Sequence, residues 1–140
     1  MKIAVVYWSG TGNTEAMANA VAEGIQANGG EAVLLTPADF DAAKAAEFDA
    51  FAFGCSAQGA EVLEEGEFDP MFTAVEGSLS GKKAALFGSY GLGDGEWMRS
   101  WEDRCKADGI TLVCDSVICQ EAPDDEATEN CKALGAALTK

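Results

Sequence analysis

The sequence predicts an α/β fold, a doubly wound five-stranded parallel sheet with helices on both faces, and three observations lead to that prediction. Short apolar runs alternate with helical patterns along all 140 residues. The runs are apolar at successive positions, as strands buried on both faces are. The longest irregular segments each follow a strand, so we expect them to gather at the carboxyl edge of the sheet, where ligands bind. Those segments are 9–14, 55–66, 88–96 and 119–125.

The first half of the chain contributes three predicted strands. The apolar run 3–8 is bounded by a turn and predicts a buried strand. Apolar residues then recur at helical spacing from Met17 to Ile25, which predicts an amphipathic helix. The runs 32–35 and 50–54 predict the second and third strands, with an acidic, alanine-rich stretch between them.

The second half predicts a helix, a strand, a second helix, a divided fifth strand and a final helix. In order, these cover about 69–79, 84–88, 97–105, 111–119 and 127–138. Only Asp115 separates the two halves of the fifth strand. We expect residues 1–140 to form a single domain, because a chain of this length buries roughly two-thirds of its unfolded surface.

Several residues near the predicted loops favour structural roles. Trp97 and Trp101, at i and i+4, are expected to pack their helix on the sheet, and Tyr7 and Trp8 to lie in the core. Cys55 is expected to be a small buried side chain. Two acidic residues of the second loop are expected to be solvated, Glu64 and Glu65.

Charge and composition exclude several classes of protein. Nine basic residues against 24 acidic ones give a net charge of −15, which argues against nucleic-acid binding and favours positively charged partners. The five cysteines include no Cys-x-x-Cys pair and histidine is absent, so we expect reduced thiols and no metal site. The first apolar run, six residues long, is too short for a signal peptide or a membrane span, which predicts a cytoplasmic protein that does not bind membranes.

Residues 9–14, Ser-Gly-Thr-Gly-Asn-Thr, form a hydroxyl-rich turn between the first strand and the first helix. The first N–H groups of a helix are unpaired and partly positive, so such a turn binds anions, most often phosphate. The turn lacks the Lys of a P-loop, and Glu15 stands where the dinucleotide fingerprint needs its third glycine. This leaves a site for a phosphate monoester, with a plain Ser/Thr-capped helix as the alternative.

The four irregular segments contain no Lys or Arg, so neutral donors alone would hold the phosphate. Their acidic residues are Glu61, Glu64, Glu65, Asp94, Glu96, Glu121, Asp124 and Asp125. The segments offer no histidine, no serine beside a base and no cysteine beside a basic residue, which leaves no candidate catalytic residue. A phosphate site of this kind indicates that the ligand itself supplies the chemistry.

Three of the loops, in this order and spacing, resemble those of the short-chain flavodoxins, and the resemblance covers essentially the whole chain. It rests on the turn 9–14, on Cys-Ser-Ala-x-Gly at 55–59, on Phe-Gly-Ser-Tyr-Gly-x-Gly-Asp-Gly at 87–95, and on the Trp-Met pair at 97–98. The insertion typical of long-chain relatives is missing. The resemblance implies a sheet order of 2-1-3-4-5, flavin mononucleotide (FMN) as cofactor, and one-electron transfer between larger redox partner proteins.

The resemblance also implies which residues bind FMN. The phosphate would be held by Ser9, Thr11, Gly12, Asn13, Thr14 and Ser56. Gly59 would turn its carbonyl toward N5–H of the one-electron-reduced ring and stabilise the neutral semiquinone, while Glu61 would accept a hydrogen bond from N3–H. Ser89 would contact the ribityl chain, and the N–H groups of Gly91 and Leu92 would face O2. The rest of the implied cofactor site is Gly10, Ala57, Gln58, Ala60, Tyr90 and Gly93.

Two positions depart from the family pattern. Leu92 stands where an aromatic residue usually stacks on the flavin, and Gln58 stands where methionine is frequent. An aliphatic side chain loses a stacking energy of about 1–3 kcal/mol, by analogy with stacking of bases on aromatic side chains.

The acidic loops predict a low-potential carrier that uses the semiquinone/hydroquinone couple, because full reduction adds negative charge beside a phosphate and carboxylates. The same field favours partners with basic docking faces, and we expect a monomer. Two alternatives stay open. One is an FMN-dependent quinone or NAD(P)H reductase on the same fold, and the other is a flavin-free interaction domain.

Overall fold

The computed structural model describes residues 1–10, 12–57, 62–91 and 93–140. Its strands are β1 (Lys2–Trp8), β2 (Glu31–Leu35), β3 (Ala50–Cys55), β4 (Lys83–Tyr90), β5 (Thr111–Leu112) and β6 (Val117–Gln120). Within these ranges the strands form one wholly parallel sheet in the order β2-β1-β3-β4-β5, and β6 also pairs with β4. The predicted α/β class and the order 2-1-3-4-5 are confirmed.

The fifth position of the sheet is occupied by two short strands. β5 pairs with the start of β4, up to Ala84↔Leu112, and β6 pairs with its end, from Phe87↔Val117. From the end of β5 to the start of β6 the chain advances five positions, from 112 to 117, whereas their partners in β4 advance only three, from 84 to 87. Two residues of the connection between β5 and β6 are therefore surplus to the ladder. The interruption is therefore wider than the single residue Asp115 that the sequence pattern indicates.

Two predicted loops begin later than the apolar pattern indicates. β4 continues through Ser89 and Tyr90, and β6 continues to Gln120, because the backbone pairs Ser89↔Cys119 and Tyr90↔Gln120 extend the ladder. Polar side chains at the end of a strand do not stop its backbone from pairing.

The helices are α1 (Asn13–Ala27), α2 (Ala42–Ala45), α3 (Phe68–Val75), α4 (Glu96–Ala107) and α5 (Asp125–Leu138). A 3-10 turn, Glu76–Ser78, follows α3, so this helix ends earlier than the predicted 79. Gly77 and Ser78 are poor helix formers, which explains the tightened last turn. No helix in the described ranges is both long and apolar enough to span a bilayer.

Side chains of β1 alternate between two cores, one on each face of the sheet. Ile3 and Val5 pack with the apolar residues of α1 and α5, whereas Ala4 and Val6 pack with those of α3 and α4. The second core is aromatic: Phe53 packs edge-on against Phe72, with ring centroids 5.3 Å apart. Helices thus cover both faces, and the carboxyl ends of β1, β3, β4 and β6 meet at one edge.

Candidate functional site

A cavity of about 490 Å³ opens at the carboxyl edge of the sheet, where the four predicted loops meet. It is lined by Gly10, Asn13, Ser56, Ala57, Ser89, Tyr90, Gly91, Glu121 and Ala122. Its volume lies in the range usual for small-molecule sites. The structure thus brings together the loops that sequence analysis expected at one edge, and the polar residues of the cavity wall are Asn13, Ser56, Ser89, Tyr90 and Glu121.

The first turn presents the start of α1 to this cavity. The N-cap of α1 is Gly12, which has no side chain to cap the helix. Its φ of +91° is a left-handed conformation that favours glycine. The Ser9 hydroxyl oxygen accepts hydrogen bonds from the N–H of Gly12 at 3.1 Å and of Glu15 at 3.2 Å. Asn13, the first helical residue, lines the cavity. A helix N-terminus carries partial positive charge, so this end of the cavity suits an anion.

Thr14 connects the first turn to two other loops. Its side chain is fully buried, and its hydroxyl oxygen is 2.6 Å from the Ser56 hydroxyl oxygen. The same Thr14 oxygen accepts a hydrogen bond from the N–H of Ser89 at 3.3 Å. Thr14 is therefore able to donate its own proton to Ser56, which frees the Ser56 proton for a ligand in the cavity.

Ser89 is hydrogen-bonded to loop 119–125, which sequence analysis placed at the carboxyl edge without naming any of its residues as cofactor residues. Its buried hydroxyl donates to the Glu121 carbonyl at 2.5 Å, and the Glu121 N–H donates to the Tyr90 carbonyl at 2.7 Å. Glu121 has φ +58°, which is rare outside glycine. Sequence analysis missed Glu121 and Ala122 as cavity residues, although both lie in the predicted loop 119–125.

The end of the cavity at Tyr90 and Gly91 is supported by α4 and β6. Tyr90 packs against Trp97 with ring centroids 5.5 Å apart, and the Trp97 indole N–H donates to the Cys55 carbonyl at 3.1 Å. The side-chain amide of Gln120 donates to the Gly91 carbonyl at 3.0 Å. Trp97 and Trp101 are both 1% exposed, so their predicted packing role is confirmed.

A positively charged side chain of α4 reaches acidic residues of the loops at the carboxyl edge of the sheet. Arg99 of α4 binds Asp94 at 3.0 Å and Glu96 at 2.8 Å through its guanidinium. Hydrogen bonds to Glu96 and then Asp94 raise the pKa of that guanidinium. The four loops lack basic residues, as expected, yet their acidic charge is partly neutralised by a residue outside them.

Two other expectations need correction. Glu64 is half-buried and is more than a solvated side chain: its carboxylate accepts hydrogen bonds from three backbone N–H groups at the start of α3. Tyr7 and Trp8 are only half-buried at the end of β1, outside the fully buried core. The Tyr7 hydroxyl donates to Glu15 at 3.3 Å, and partial burial, followed by the Glu15 charge, raises the pKa of Tyr7.

Cys55 is completely buried at the end of β3, as predicted. Burial raises the pKa of its thiol to about 12. A thiol that stays protonated at neutral pH is a poor nucleophile. In the described ranges, no group of acidic residues and cysteines is arranged to hold a metal ion.

Six of the predicted cofactor residues lie outside the described residues. They are Thr11, Gln58, Gly59, Ala60, Glu61 and Leu92. The predicted roles of Gly59 at N5, Glu61 at N3 and Leu92 on the ring therefore stay predictions. Gly93 is described and exposed, with φ +93°, and it lies directly beyond Leu92.

The donors that the described residues offer at this site are neutral, and they suit a phosphorylated molecule. The site's anion end has the helix N-terminus and the Ser56 hydroxyl, and its other end has the Tyr90 ring. FMN has both parts, a phosphate monoester and an aromatic ring system, so the donor set of the described residues fits this cofactor.

Comparison with known proteins gives one consistent result. The sequence matches the family model described as Flavodoxin over residues 5–135. It is 46% identical over 131 residues to a flavodoxin of Clostridium beijerinckii, covering 94% of each chain. It is 41% identical over 138 residues to a flavodoxin of Megasphaera elsdenii, covering 99% of this chain and 98% of that one. The fold is similar to the solution structure of two-electron reduced Megasphaera elsdenii flavodoxin, with a TM-score of 0.90 and 43% identity over 97% of both chains.

Proposed function

This chain belongs to the flavodoxin family, and from that premise we propose that it is a cytoplasmic, monomeric, low-potential carrier of single electrons that binds FMN non-covalently. The family makes it an electron-transfer flavoprotein; the low potential, the semiquinone/hydroquinone couple and the kind of partner are our proposal. FMN supplies the redox chemistry when bound. The observation that carries the proposal is the cavity at the carboxyl edge, with neutral hydroxyl and N–H donors at its anion end.

Residues around the start of α1 are proposed to hold the phosphate. They are Ser9, Thr11, Gly12, Asn13, Thr14 and Ser56. Three features support this assignment: the positive N-terminus of α1, the position of Asn13 on the cavity wall, and the contact between the Thr14 and Ser56 hydroxyl oxygens. Neutral donors bind a phosphate without a neutralising cation, so the bound site keeps a negative charge.

The other end of the cavity is proposed to hold the ring system and the ribityl chain. The residues are Gly10, Ala57, Gln58, Gly59, Ala60, Glu61, Ser89, Tyr90, Gly91, Leu92 and Gly93. The Tyr90 ring, held against Trp97, is a candidate to cover the flavin where Leu92 offers no stacking surface. The Ser89 hydroxyl proton is engaged by Glu121, so Ser89 would contact the ribityl chain as an acceptor.

The charge distribution favours a strongly reducing carrier. Glu121 lines the cavity, and the cluster of Arg99 with Asp94 and Glu96 has a net charge of −1 by its formal charges. A charge about 10 Å away costs about 0.4 kcal/mol in water, which corresponds to about 20 mV for one electron. Several such contributions would make the second electron harder to add. The same acidic edge would attract the basic face of a redox partner.

Stepwise anaerobic reduction of the FMN-loaded protein, followed by visible spectroscopy, tests the proposal. We expect a blue neutral semiquinone at mid-titration and a final electron that is added only at low potential. Direct conversion of oxidised to fully reduced flavin would contradict one-electron transfer. Rapid oxidation of NAD(P)H by the protein alone would favour the reductase alternative. A purified protein that takes up no FMN would support the flavin-free domain.

A further inference from the structure

Trp97 of α4 is hydrogen-bonded to the end of β3 inside the aromatic core. Its side chain is 1% exposed, and its indole N–H donates to the carbonyl of the fully buried Cys55 at 3.1 Å. Gly88 of β4 leaves room for this contact, because a β-carbon there would collide with the Cys55 carbonyl oxygen and crowd the Trp97 ring. A buried hydrogen bond is costly to lose, since water does not replace the missing partner.

The carbonyl that Trp97 holds belongs to the peptide group that leads into Ser56. A peptide group is planar and rigid, so a hydrogen bond at the Cys55 carbonyl also limits the direction in which Ser56 leaves β3. Cys55 is the last residue of β3, and Ser56 already lies on the cavity wall. The indole therefore holds the chain at the point where the strand passes into the wall of the cavity.

Ser56 is held on two further sides. The peptide group after it is held by the Ala57 N–H, which donates to the Ser89 carbonyl at 3.0 Å. Its side-chain oxygen lies 2.6 Å from the hydroxyl oxygen of Thr14. Ser56 is thus attached to α4 before it, to β4 after it and to α1 through its side chain. A donor that is already held in place loses less conformational entropy when it binds a ligand.

We propose that Trp97 is a positioning residue for the phosphate: through the Cys55 carbonyl it fixes the backbone before Ser56 and thereby sets how tightly the anion end of the cavity binds a phosphate monoester. The inference rests on the proposed function, in which Ser56 contacts the phosphate of FMN. Trp97 acts through the peptide group and makes no direct contact with the cofactor in this proposal. Its indole N–H therefore affects binding of the phosphate and not of the ring system.

Trp101 provides a matched control on the same helix. It is also 1% exposed and lies one turn further along α4. In the described part of the structure, however, its indole N–H has no hydrogen-bond partner. Trp97→Phe and Trp101→Phe thus make the same replacement at the same depth of burial, whereas only Trp97→Phe removes the indole donor from the Cys55 carbonyl.

The experiment compares the dissociation constants of FMN and of riboflavin, measured by fluorescence quenching, in the wild type and the two variants. Riboflavin lacks the phosphate, so the ratio of its dissociation constant to that of FMN measures the contribution of the phosphate. A change in ring binding, such as one caused by the contact of Trp97 with Tyr90, cancels in this ratio. We expect Trp97→Phe to lower the ratio by about threefold to tenfold, the factor that corresponds to one hydrogen bond, and Trp101→Phe to change it by less than about twofold. Equal ratios in the two variants would overturn the inference.

A measurement on the ligand-free protein separates this inference from folding defects and from the proposed function. The NMR shifts of the Cys55 carbonyl carbon and the Ser56 amide nitrogen respond to a hydrogen bond at that carbonyl. We expect both to move in Trp97→Phe and to stay close to the wild-type values in Trp101→Phe; unmoved shifts in Trp97→Phe would overturn the inference. A wild type that binds FMN no more tightly than riboflavin would refute the proposed phosphate site, whereas a wild type that prefers FMN, with equal ratios in the two variants, refutes this inference alone.

Discussion

The hydroxyl oxygens of Thr14 and Ser56 lie 2.6 Å apart, and this contact joins the first turn of α1 to the loop that follows β3. Thr14 is fully buried, and its oxygen also accepts the N–H of Ser89 at 3.3 Å. One buried hydroxyl therefore holds three cavity loops in a fixed relation. Because a ligand would contact all three loops, we expect this hydroxyl to affect both folding and binding.

Thr14→Val keeps the shape of the side chain and removes its hydroxyl. We expect the free energy of unfolding of the ligand-free protein to fall by about 1–3 kcal/mol, because the Ser89 N–H loses this acceptor and Ser56 loses its partner. Urea denaturation measures the change. Ser56→Ala, at a half-buried position, is expected to cost less, and the double variant should show a coupling of about 1 kcal/mol. Strictly additive losses would contradict the contact.

Gly24 allows α1 and α5 to pack backbone against backbone. A β-carbon on Gly24 would collide with the carbonyl of Lys132. We expect Gly24→Ala to lower the free energy of unfolding by about 1–3 kcal/mol, although alanine is the better helix former by about 1 kcal/mol. Gly77→Ala is the control, since a β-carbon there would meet nothing within 4 Å. Thermal or urea unfolding that gave both variants the stability of the wild type would refute the close approach of the helices.

Glu121 adopts a left-handed backbone conformation at the cavity wall, with φ +58°. Glu121→Gly should be more stable than Glu121→Ala by about 1 kcal/mol, because only glycine adopts this conformation without strain. Both variants lose the same charge, so their difference reports the backbone alone. Chemical denaturation of the two ligand-free proteins measures it, and an alanine variant of equal or greater stability would contradict the prediction.

The charge of Glu121 should also depress the second reduction potential. We expect Glu121→Gln to raise that potential by about 20 mV or more, the effect of one charge at about 10 Å in water. Asp103→Asn is the control, because Asp103 lies in the second half of α4, which runs away from the carboxyl edge. Spectroelectrochemical titration of FMN-loaded protein measures both variants. An equal shift in each would mean that the net charge of the protein, and not the position of Glu121, sets the potential.

Burial of Cys131 makes the stability depend on pH in the alkaline range. Burial, with a smaller contribution from Cys119, raises the pKa of the Cys131 thiol from its ordinary value of 9.0 to about 12. Between pH 9 and 12 the unfolded thiol has lost its proton and the folded one keeps it, so stability is lost as the pH rises. We expect Cys131→Ala to reduce this loss by up to about 1.4 kcal/mol per pH unit. Urea unfolding at pH 8 and pH 10.5 measures how much stability the wild type and the variant each lose over this range. Equal losses in the two proteins would mean that the thiol does not contribute.

The turn 9–14 and the apolar runs could be recognised from the sequence because the forces that define them are local. A helix begins where a hydroxyl-rich, glycine-containing turn follows a strand, and buried parallel strands are apolar at every position. The gathering of the four loops could also be predicted, since the carboxyl ends of parallel strands share one edge of the sheet. Glu121 and Ala122 were missed because their place on the cavity wall depends on the pairing of β6 with β4. Glu64 was misjudged because its exposure depends on how the chain enters α3.

By itself the sequence determined the fold class, the order of elements and the presence of a hydroxyl-rich turn and of acidic loops after the strands. Only the tertiary structure decided which groups meet: Thr14 with Ser56, the Trp97 indole with the Cys55 carbonyl, and Ser89 with Glu121. It also decided how wide the interruption between β5 and β6 is, which the sequence pattern had indicated as the single residue Asp115. The physical reason is that periodicity and turn chemistry act within a few residues, whereas these contacts join residues 32 to 42 positions apart through the register of the sheet.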